Sequence, residues 1–297
     1  MSLDLTRVRV ECGEVTAVEH LGSGVYEITA RLPHLAATVA PGEFAQIRCG
    51  AGPIPLLRRP FSVAWSEADT CSFVFDVVGV GTSLLAHLEP GDELDCLGPL
   101  GSGFSLDAAG KRVVCVSGGL GCAPFPILAR ALRSHGVEDI IVLNGAASAA
   151  RLYPAERFQH GDGAIRVLEA TDDGSAGHHG LVTELVAGVL DGAGALFACG
   201  PNPMLAALAS VLDAQPSRRR PQTMEASLEA PMGCGFGTCL GCALPVRSDG
   251  GRAYQPTKSA ISRGPGKWAL CCTDGPVMAM NAVDWTALLE LPGADVA

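Results

Sequence analysis

Apolar positions along this chain change their rhythm twice. Over residues 7–108 they fall in short runs that alternate with polar residues or are rich in β-branched and aromatic ones. These runs are Val8-Arg-Val10, Val25-Tyr-Glu-Ile28, Phe44-Ala-Gln-Ile47 and Cys71-Ser-Phe-Val-Phe-Asp-Val77. Turn residues separate them at Gly22-Ser-Gly24, Pro41-Gly42, Gly50-Ala-Gly52 and Pro90-Gly91. Many short strands at this spacing predict an antiparallel β-barrel or sandwich.

Residues 111–213 alternate strand-like and helix-like segments instead. Val113-Val-Cys-Val116, Ile140-Ile-Val-Leu143, Ile165-Arg-Val-Leu168 and Ala195-Leu-Phe-Ala198 read as strands, with helices expected near 124–134, 181–189 and 203–212. That order predicts a Rossmann-like parallel sheet covered on both faces. Gln215-Pro-Ser-Arg-Arg-Arg-Pro221 reads as a linker with its arginines in solvent. Beyond it regular elements are few and cysteines form the framework. The expected organisation is multidomain β plus α/β: a barrel over 1–108, an α/β nucleotide domain over 109–215 and a small cluster domain over 216–297.

Composition narrows the classes. A chain of 297 residues, 48% hydrophobic, is too long for one small core and suits several domains. A formal net charge of −10 disfavours nucleic acid and anionic membranes as partners. The apolar stretches 113–132 and 181–200 are broken by charge, glycine or proline, so neither predicts a membrane span. Met1 to Glu14 carries Asp4, Arg7, Arg9 and Glu11, unlike a signal peptide, and a cytoplasmic protein is expected. The twelve cysteines then do not predict disulfides, and Cys12, Cys49, Cys71, Cys96 and Cys115 read as small hydrophobes.

Three other cysteines carry chemistry. Cys234, Cys239 and Cys242 are spaced C-x4-C-x2-C, and Cys271 and Cys272 follow. Four thiolates from a tight loop and one distant return suit a plant-type two-iron, two-sulfur (2Fe-2S) cluster. Gly233, Gly235, Gly237 and Gly241 let the backbone close around such a core and point N–H groups at sulfur. Four-cysteine zinc is the alternative, although it usually shows paired C-x2-C knuckles. Spacing alone does not choose between Cys271 and Cys272.

A flavin site is suggested by Leu57-Arg-Arg-Pro-Phe-Ser62, where Arg59 suits a diphosphate, Pro60 fixes the backbone and Ser62 suits a ring edge. Gly79-Val-Gly-Thr82 opens a helix, a place that favours phosphate. In the α/β region, Ser117-Gly-Gly-Leu-Gly-Cys-Ala-Pro124 lies at a strand's C-terminal end, offering Gly118, Gly119 and Gly121 to a nucleotide. Ala198-Cys-Gly-Pro-Asn-Pro-Met204 follows a later strand, with Gly200 and Pro201 in its turn and Cys199 where a nicotinamide would lie. Thr171-Asp-Asp-Gly-Ser175 is a candidate for the ribose or adenine, and Arg151 for a 2′-phosphate.

Taken in order, Arg-Pro-Phe-Ser, Gly-x-Gly-Thr, Gly-Gly-x-Gly-x-Ala-Pro and Cys-Gly-Pro-x-Pro-Met resemble the ferredoxin–NADP reductase superfamily. Leu228–Cys242, Cys272-Thr-Asp-Gly-Pro-Val277, Val283-Asp-Trp285, Leu97–Phe104 and Ala170–Ser175 narrow this. Over nearly the whole chain they resemble the electron-transfer subunits of NAD-dependent dihydroorotate dehydrogenase. The resemblance implies a cluster on Cys234, Cys239, Cys242 and Cys272, the last because the family's fourth ligand is followed by one residue and then Asp-Gly-Pro. It implies FAD on Arg59, Pro60, Phe61, Ser62, Val74, Phe75, Asp76, Gly81 and Thr82, although Asp76 stands where a basic or neutral residue is expected. It implies NAD as the nucleotide. The implied partner is an FMN-containing catalytic subunit that oxidises dihydroorotate to orotate, in a heterotetramer. The chemistry is coherent: hydride transfer moves two electrons, a cluster takes one, and a flavin handles both. Rival readings are a subunit of an NAD(P)H–ferredoxin oxidoreductase or hydrogenase-like complex, and a non-catalytic redox sensor.

Overall fold

The computed structural model describes residues 6–50, 52, 54–247 and 267–291. The first five residues, Ala51 of one predicted turn, and 248–266 and 292–297 of the predicted cluster domain lie outside the described residues. The N-terminal third comprises β1 (Arg9–Gly22), β2 (Val25–Arg31), α1 (Pro33–Thr38), β3 (Phe44–Ile47), β4 (Arg59–Glu67), β5 (Thr70–Asp76), α2 (Val80–Ala86) and β6 (Glu93–Leu100). Its strands close an antiparallel barrel in the order β1-β2-β5-β4-β3-β6.

The period of two divides each strand between two cores. Ile28, Ala30, Ala45, Ile47, Phe73 and Phe75 fill the barrel. Val25, Ala64 and Val74 instead join a core with Val113, Phe125 and Tyr153 of the next region. Two strands, β4 and β6, escape the sequence reading because Pro60 and Pro99 break their pattern. Each proline sits at the second or penultimate position of its strand, where a missing N–H does little harm.

The α/β region contains β7 (Arg112–Gly118), α3 (Phe125–Ser134), β8 (Asp139–Ala146), α4 (Ala155–Gln159), β9 (Ile165–Thr171), β10 (His178–His179), α5 (Val186–Val189), β11 (Ala195–Cys199) and α6 (Asn202–Asp213). The helix expected over 181–189 is shorter, with a 3-10 turn over Val182–Leu185 leading into α5. The last third supplies β12 (Thr223–Ser227), β13 (Ala243–Val246), β14 (Lys267–Leu270), β15 (Val277–Ala279) and α7 (Trp285–Leu289).

Two of these late strands extend the α/β sheet, whose order is β10-β9-β8-β7-β11-β12-β15. β12 runs parallel to β11, and β15 closes the edge antiparallel to β12. The arginines between α6 and β12 are more engaged than a free linker: Arg219 pairs with Asp191 at 2.6 Å and donates to the Ala187 carbonyl at 2.9 Å. Among the described residues no helix is long and apolar enough to cross a membrane.

Candidate functional site

The predicted flavin residues divide by strand face. Phe61 and Phe75 turn into the barrel, their ring centres 5.8 Å apart. Pro60 and Ser62 pair across the strands with Gln46 and Phe44, whose side chains leave the barrel. Val74 and Asp76 also face outward, toward the α/β region. The two adjacent arginines part company. Arg58 is locked on the Asp95 carboxylate at 2.8 and 2.9 Å. Among the described residues Arg59 donates only to main-chain oxygens of its own turn, Leu57 at 2.8 Å and Arg58 at 3.4 Å, which leaves a guanidinium suited to an incoming anion. Gly81 lies in the first turn of α2. Thr82 Oγ accepts from Val78 N at 3.0 Å and Gly79 N at 3.2 Å, holding that turn.

Asp76 has a protein partner. It forms an ion pair with Arg151, which also donates to the Ser23 carbonyl at 2.9 Å. The acid that departs from the family pattern, and the arginine considered for a 2′-phosphate, are thus a tie between barrel and α/β region.

The sheet reverses its winding between β7 and β11, since β8 and β9 lie on one side of β7 and β11 and β12 on the other. Ligands of open α/β sheets bind outside the strand ends at such a point. Both predicted glycine turns sit there. Gly119 has φ +54 and open space around its α-carbon. Gly121 and Gly118 are spent on packing: a Cβ on Gly121 would collide with the Cys199 carbonyl and lie 2.6 Å from Gly200 N. Gly200 is close to Gly118 and Met204, and Pro201 precedes α6.

Cys199 ends β11, in register with Ser117 on one side and Ser227 on the other. Burial pushes its thiol up to about 12, so it is protonated at neutral pH. Sequence reasoning missed both serines, and also Asn202, whose amide donates to the Glu229 carbonyl at 3.1 Å and whose Oδ1 has no partner among the described residues. The Asp172–Ser175 loop follows β9 and is self-bonded, with Asp173 accepting from Ser175 N at 2.9 Å.

The cysteines of the last third form two pairs. Cys242 Sγ lies 3.2 Å from Cys272 Sγ. Cys234 Sγ accepts from Thr238 N at 3.3 Å and Cys239 N at 3.4 Å, and it interacts with the Cys239 thiol. Cys271 turns away and donates to the Leu228 carbonyl at 3.4 Å, deep in the core. Burial opposes ionisation of Cys234, but the N–H groups of Cys239, Phe236 and Thr238 and the Cys239 thiol overcome it and bring the group down to about 7. A hydrogen bond from Cys272 likewise lowers Cys242 to about 7, while Cys272 is raised by the same contact. Among the described residues no three potential ligands stand together at metal-binding distance, so the thiols form pairs rather than a closed mononuclear cage. Two pairs, each with one thiol brought down to about 7 and with N–H groups aimed at the Cys234 sulfur, fit a two-iron cluster better than one tetrahedral zinc.

This loop packs on the barrel. Phe44 and Leu100 share a core with Cys242, Cys271 and Cys272. Ser102 N donates to the Gly275 carbonyl at 2.6 Å, joining the Leu97–Phe104 motif to the Asp-Gly-Pro tail. Phe236 and Leu240 remain 43% and 46% exposed on the outer side of the loop. A separate cleft between Leu212, Met224, Met280 and Trp285 lies away from both the thiols and the glycine turns.

Residues 229–284 match the model of the iron-sulfur cluster binding domain of dihydroorotate dehydrogenase B. The dihydroorotate dehydrogenase B (NAD(+)) electron transfer subunit of Geobacillus thermodenitrificans is 37% identical over 91% of this chain and 96% of its own length. The corresponding subunit of Enterococcus faecalis is 32% identical over 91% of this chain and 96% of its own. Among solved structures, an NADH-dependent reduced ferredoxin-NADP oxidoreductase superposes with a TM-score of 0.74 at 26% identity, covering 94% of this chain and 91% of that one. The ferredoxin NADP+ reductase of Neisseria gonorrhoeae, at 18% identity and a TM-score of 0.59, shares the fold over 73% of this chain and 98% of its own. A thiol loop fitted for iron and sulfur, carried on a barrel and a nucleotide sheet and matched along nearly its full length, places this chain in the family of dihydroorotate dehydrogenase B (NAD(+)) electron transfer subunits.

Proposed function

We propose that this chain carries electrons between NAD and an FMN-containing catalytic subunit that oxidises dihydroorotate to orotate, in a heterotetramer of two subunits of each kind. When bound, FAD exchanges a hydride with the nicotinamide and single electrons with the iron–sulfur cluster. Cys234, Cys239, Cys242 and Cys272 are the proposed cluster ligands. Arg59 and the α2 turn at Gly81 and Thr82 would hold the flavin diphosphate, with Pro60, Ser62 and Val74 beneath the ring. Phe61 and Phe75 would support that face from inside the barrel. The glycine turns at Gly118–Gly121 and Gly200–Pro201 would receive the nucleotide, with Cys199 beside the nicotinamide as a neutral thiol. The proposed modules are 1–108, 109–215 and 216–297, the last lending two strands to the sheet of the second.

One observation carries the reading. The cluster loop rests on β3, the strand paired with Arg59–Ser62, so the two proposed redox sites are separated by one strand spacing and a side chain. Exposed Phe236 and Leu240 beside the thiols give a partner subunit an apolar place to dock. We propose a cytoplasmic setting, which keeps twelve unpaired cysteines reduced.

The test is reconstitution. Protein purified without air should contain FAD, iron and acid-labile sulfide, and should reduce NAD only when dihydroorotate and the FMN subunit are both present. Protein that lacks iron and flavin refutes the proposal. Reduction of ferredoxin by NADH, with no dihydroorotate-dependent turnover, would transfer it to the ferredoxin oxidoreductases.

A further inference from the structure

Gln46 is fully buried, yet among the described residues neither its side-chain oxygen nor its nitrogen has a hydrogen-bond partner. Leaving a carboxamide unpaired away from water is costly, so such a group calls for a partner. Its place in the fold says which. On β3 the neighbours Ala45 and Ile47 point into the barrel, and Gln46 points out, on the face that carries Phe44. Its cross-strand partner is Pro60 of the proposed flavin site.

The other wall of its chamber is the cluster loop. Gly235, which directly follows Cys234, has φ +82, and a Cβ there would lie 2.8 Å from Gln46 Cγ and 3.0 Å from Gln46 Nε2. The absent side chain at 235 is what lets the amide lie under the loop. Arg58, the nearest charged neighbour in the hydrogen-bond network, reaches only the main-chain oxygen of Gln46, at 3.3 Å. The apolar Leu100 meets the loop at the same point, its Cδ1 3.1 Å from the Cβ position of Gly235.

We infer that the Gln46 amide is a hydrogen-bond donor to sulfur of the iron–sulfur group held by the Cys234 loop, and that it sets the reduction potential of that group. This rests on the reading that the loop holds a cluster. Hydrogen bonds to sulfur are one of the terms that tune such potentials. A donor stabilises the more negative, reduced form more than the oxidised one, so Gln46 raises the potential. Gln46 takes no part in bond making; it is a positioning and tuning residue.

The decisive measurement is an EPR-monitored redox titration of the air-free, cofactor-bound chain, wild type against Gln46→Met. Methionine keeps the length without a donor. At a fixed poise, Q46M should lower the reduced-to-oxidised ratio of the cluster about tenfold, which for one electron is about 59 mV. Iron content should be unchanged and the flavin potential should stay put. An unmoved cluster potential in iron-replete Q46M overturns the inference, and so does a shift confined to the flavin. A second measurement needs no variant. Wild-type protein grown with side-chain 15N-glutamine should show a weak 15N coupling to the reduced cluster in pulsed EPR, and its absence also overturns the inference. Wild-type protein without iron or labile sulfide overturns the parent reading and this one with it, a result distinct from an iron-bearing protein with an unmoved potential.

Discussion

Replacing Gly121 by alanine tests whether the glycine turn is shaped by packing or by ligand. The added Cβ would lie 2.6 Å from Gly200 N, 0.8 Å inside the 3.4 Å at which ordinary contact begins, and closer still to the Cys199 carbonyl. Both obstacles are main chain, pinned by the β7–β11 pairing through Ser117 and Cys199, so no rotamer change relieves them. Overpacking of this kind costs about 1–3 kcal/mol, and a clash between two backbones belongs at the top of that range. Gly119 is the internal control. It has φ +54 and nothing within 4 Å, so alanine there costs only the strain of a left-handed residue, about 1–2 kcal/mol. At roughly 2–4 °C per kcal/mol for a body of this size, G121A should melt about 6–12 °C below wild type and G119A no more than about two-thirds as far below. Calorimetry of the flavin-loaded chain reads both. A G121A protein melting within about 2 °C of wild type, or below which G119A falls, would refute the packing argument.

Cys272→Ser should lose most of the iron and labile sulfide, whereas Cys271→Ala should keep both and lose only about 1 kcal/mol of stability for its bond to Leu228; chemical iron and sulfide assays distinguish them. A double-mutant cycle with Arg151→Ala and Asp76→Ala should return a coupling of about 1 kcal/mol for this partly buried pair, with no change in NAD against NADP preference. Burial, with a smaller push from Glu19 and partial relief from Arg157, Tyr153 and Ser72, holds Glu27 above its ordinary value of 4.5. The folded chain therefore binds that proton more tightly than the unfolded one. The resulting stability is complete below about 4.5 and is lost as pH rises through the folded value, so E27Q should flatten the fall in melting temperature over that window. Because the Cys199 thiol is raised to about 12, C199A should slow hydride exchange with NADH without shifting its pH profile between about 6 and 9.

Much of the site is legible as local spacing. The C-x4-C-x2-C loop and both glycine turns announce themselves because each chemistry needs its residues within a few positions of one another. The barrel core follows from a period of two, which also explains why Phe61 and Phe75 face away from Pro60 and Ser62. What spacing conceals is anything settled between distant segments. Gln46 reads as one polar residue in a short strand, and only the approach of Gly235 gives it a role. The choice between Arg58 and Arg59 is made by Asp95, 37 residues away. Asp76 looks anomalous until Arg151 arrives, and the Ser117–Cys199–Ser227 row exists only once three strand ends align. The late strands were hidden because each is five residues or fewer and flanked by turn-forming residues.

The two strands that the C-terminal third donates have a consequence for synthesis. A ribosome releases the whole barrel and five strands of the second sheet before residues 223–227 and 277–279 exist. Until then β11 presents a bare row of N–H and C=O groups, an edge ready to pair with another nascent chain. Emergence of residues 223–227 seals this edge, and β15, which follows the Cys234 loop, then covers β12 in turn.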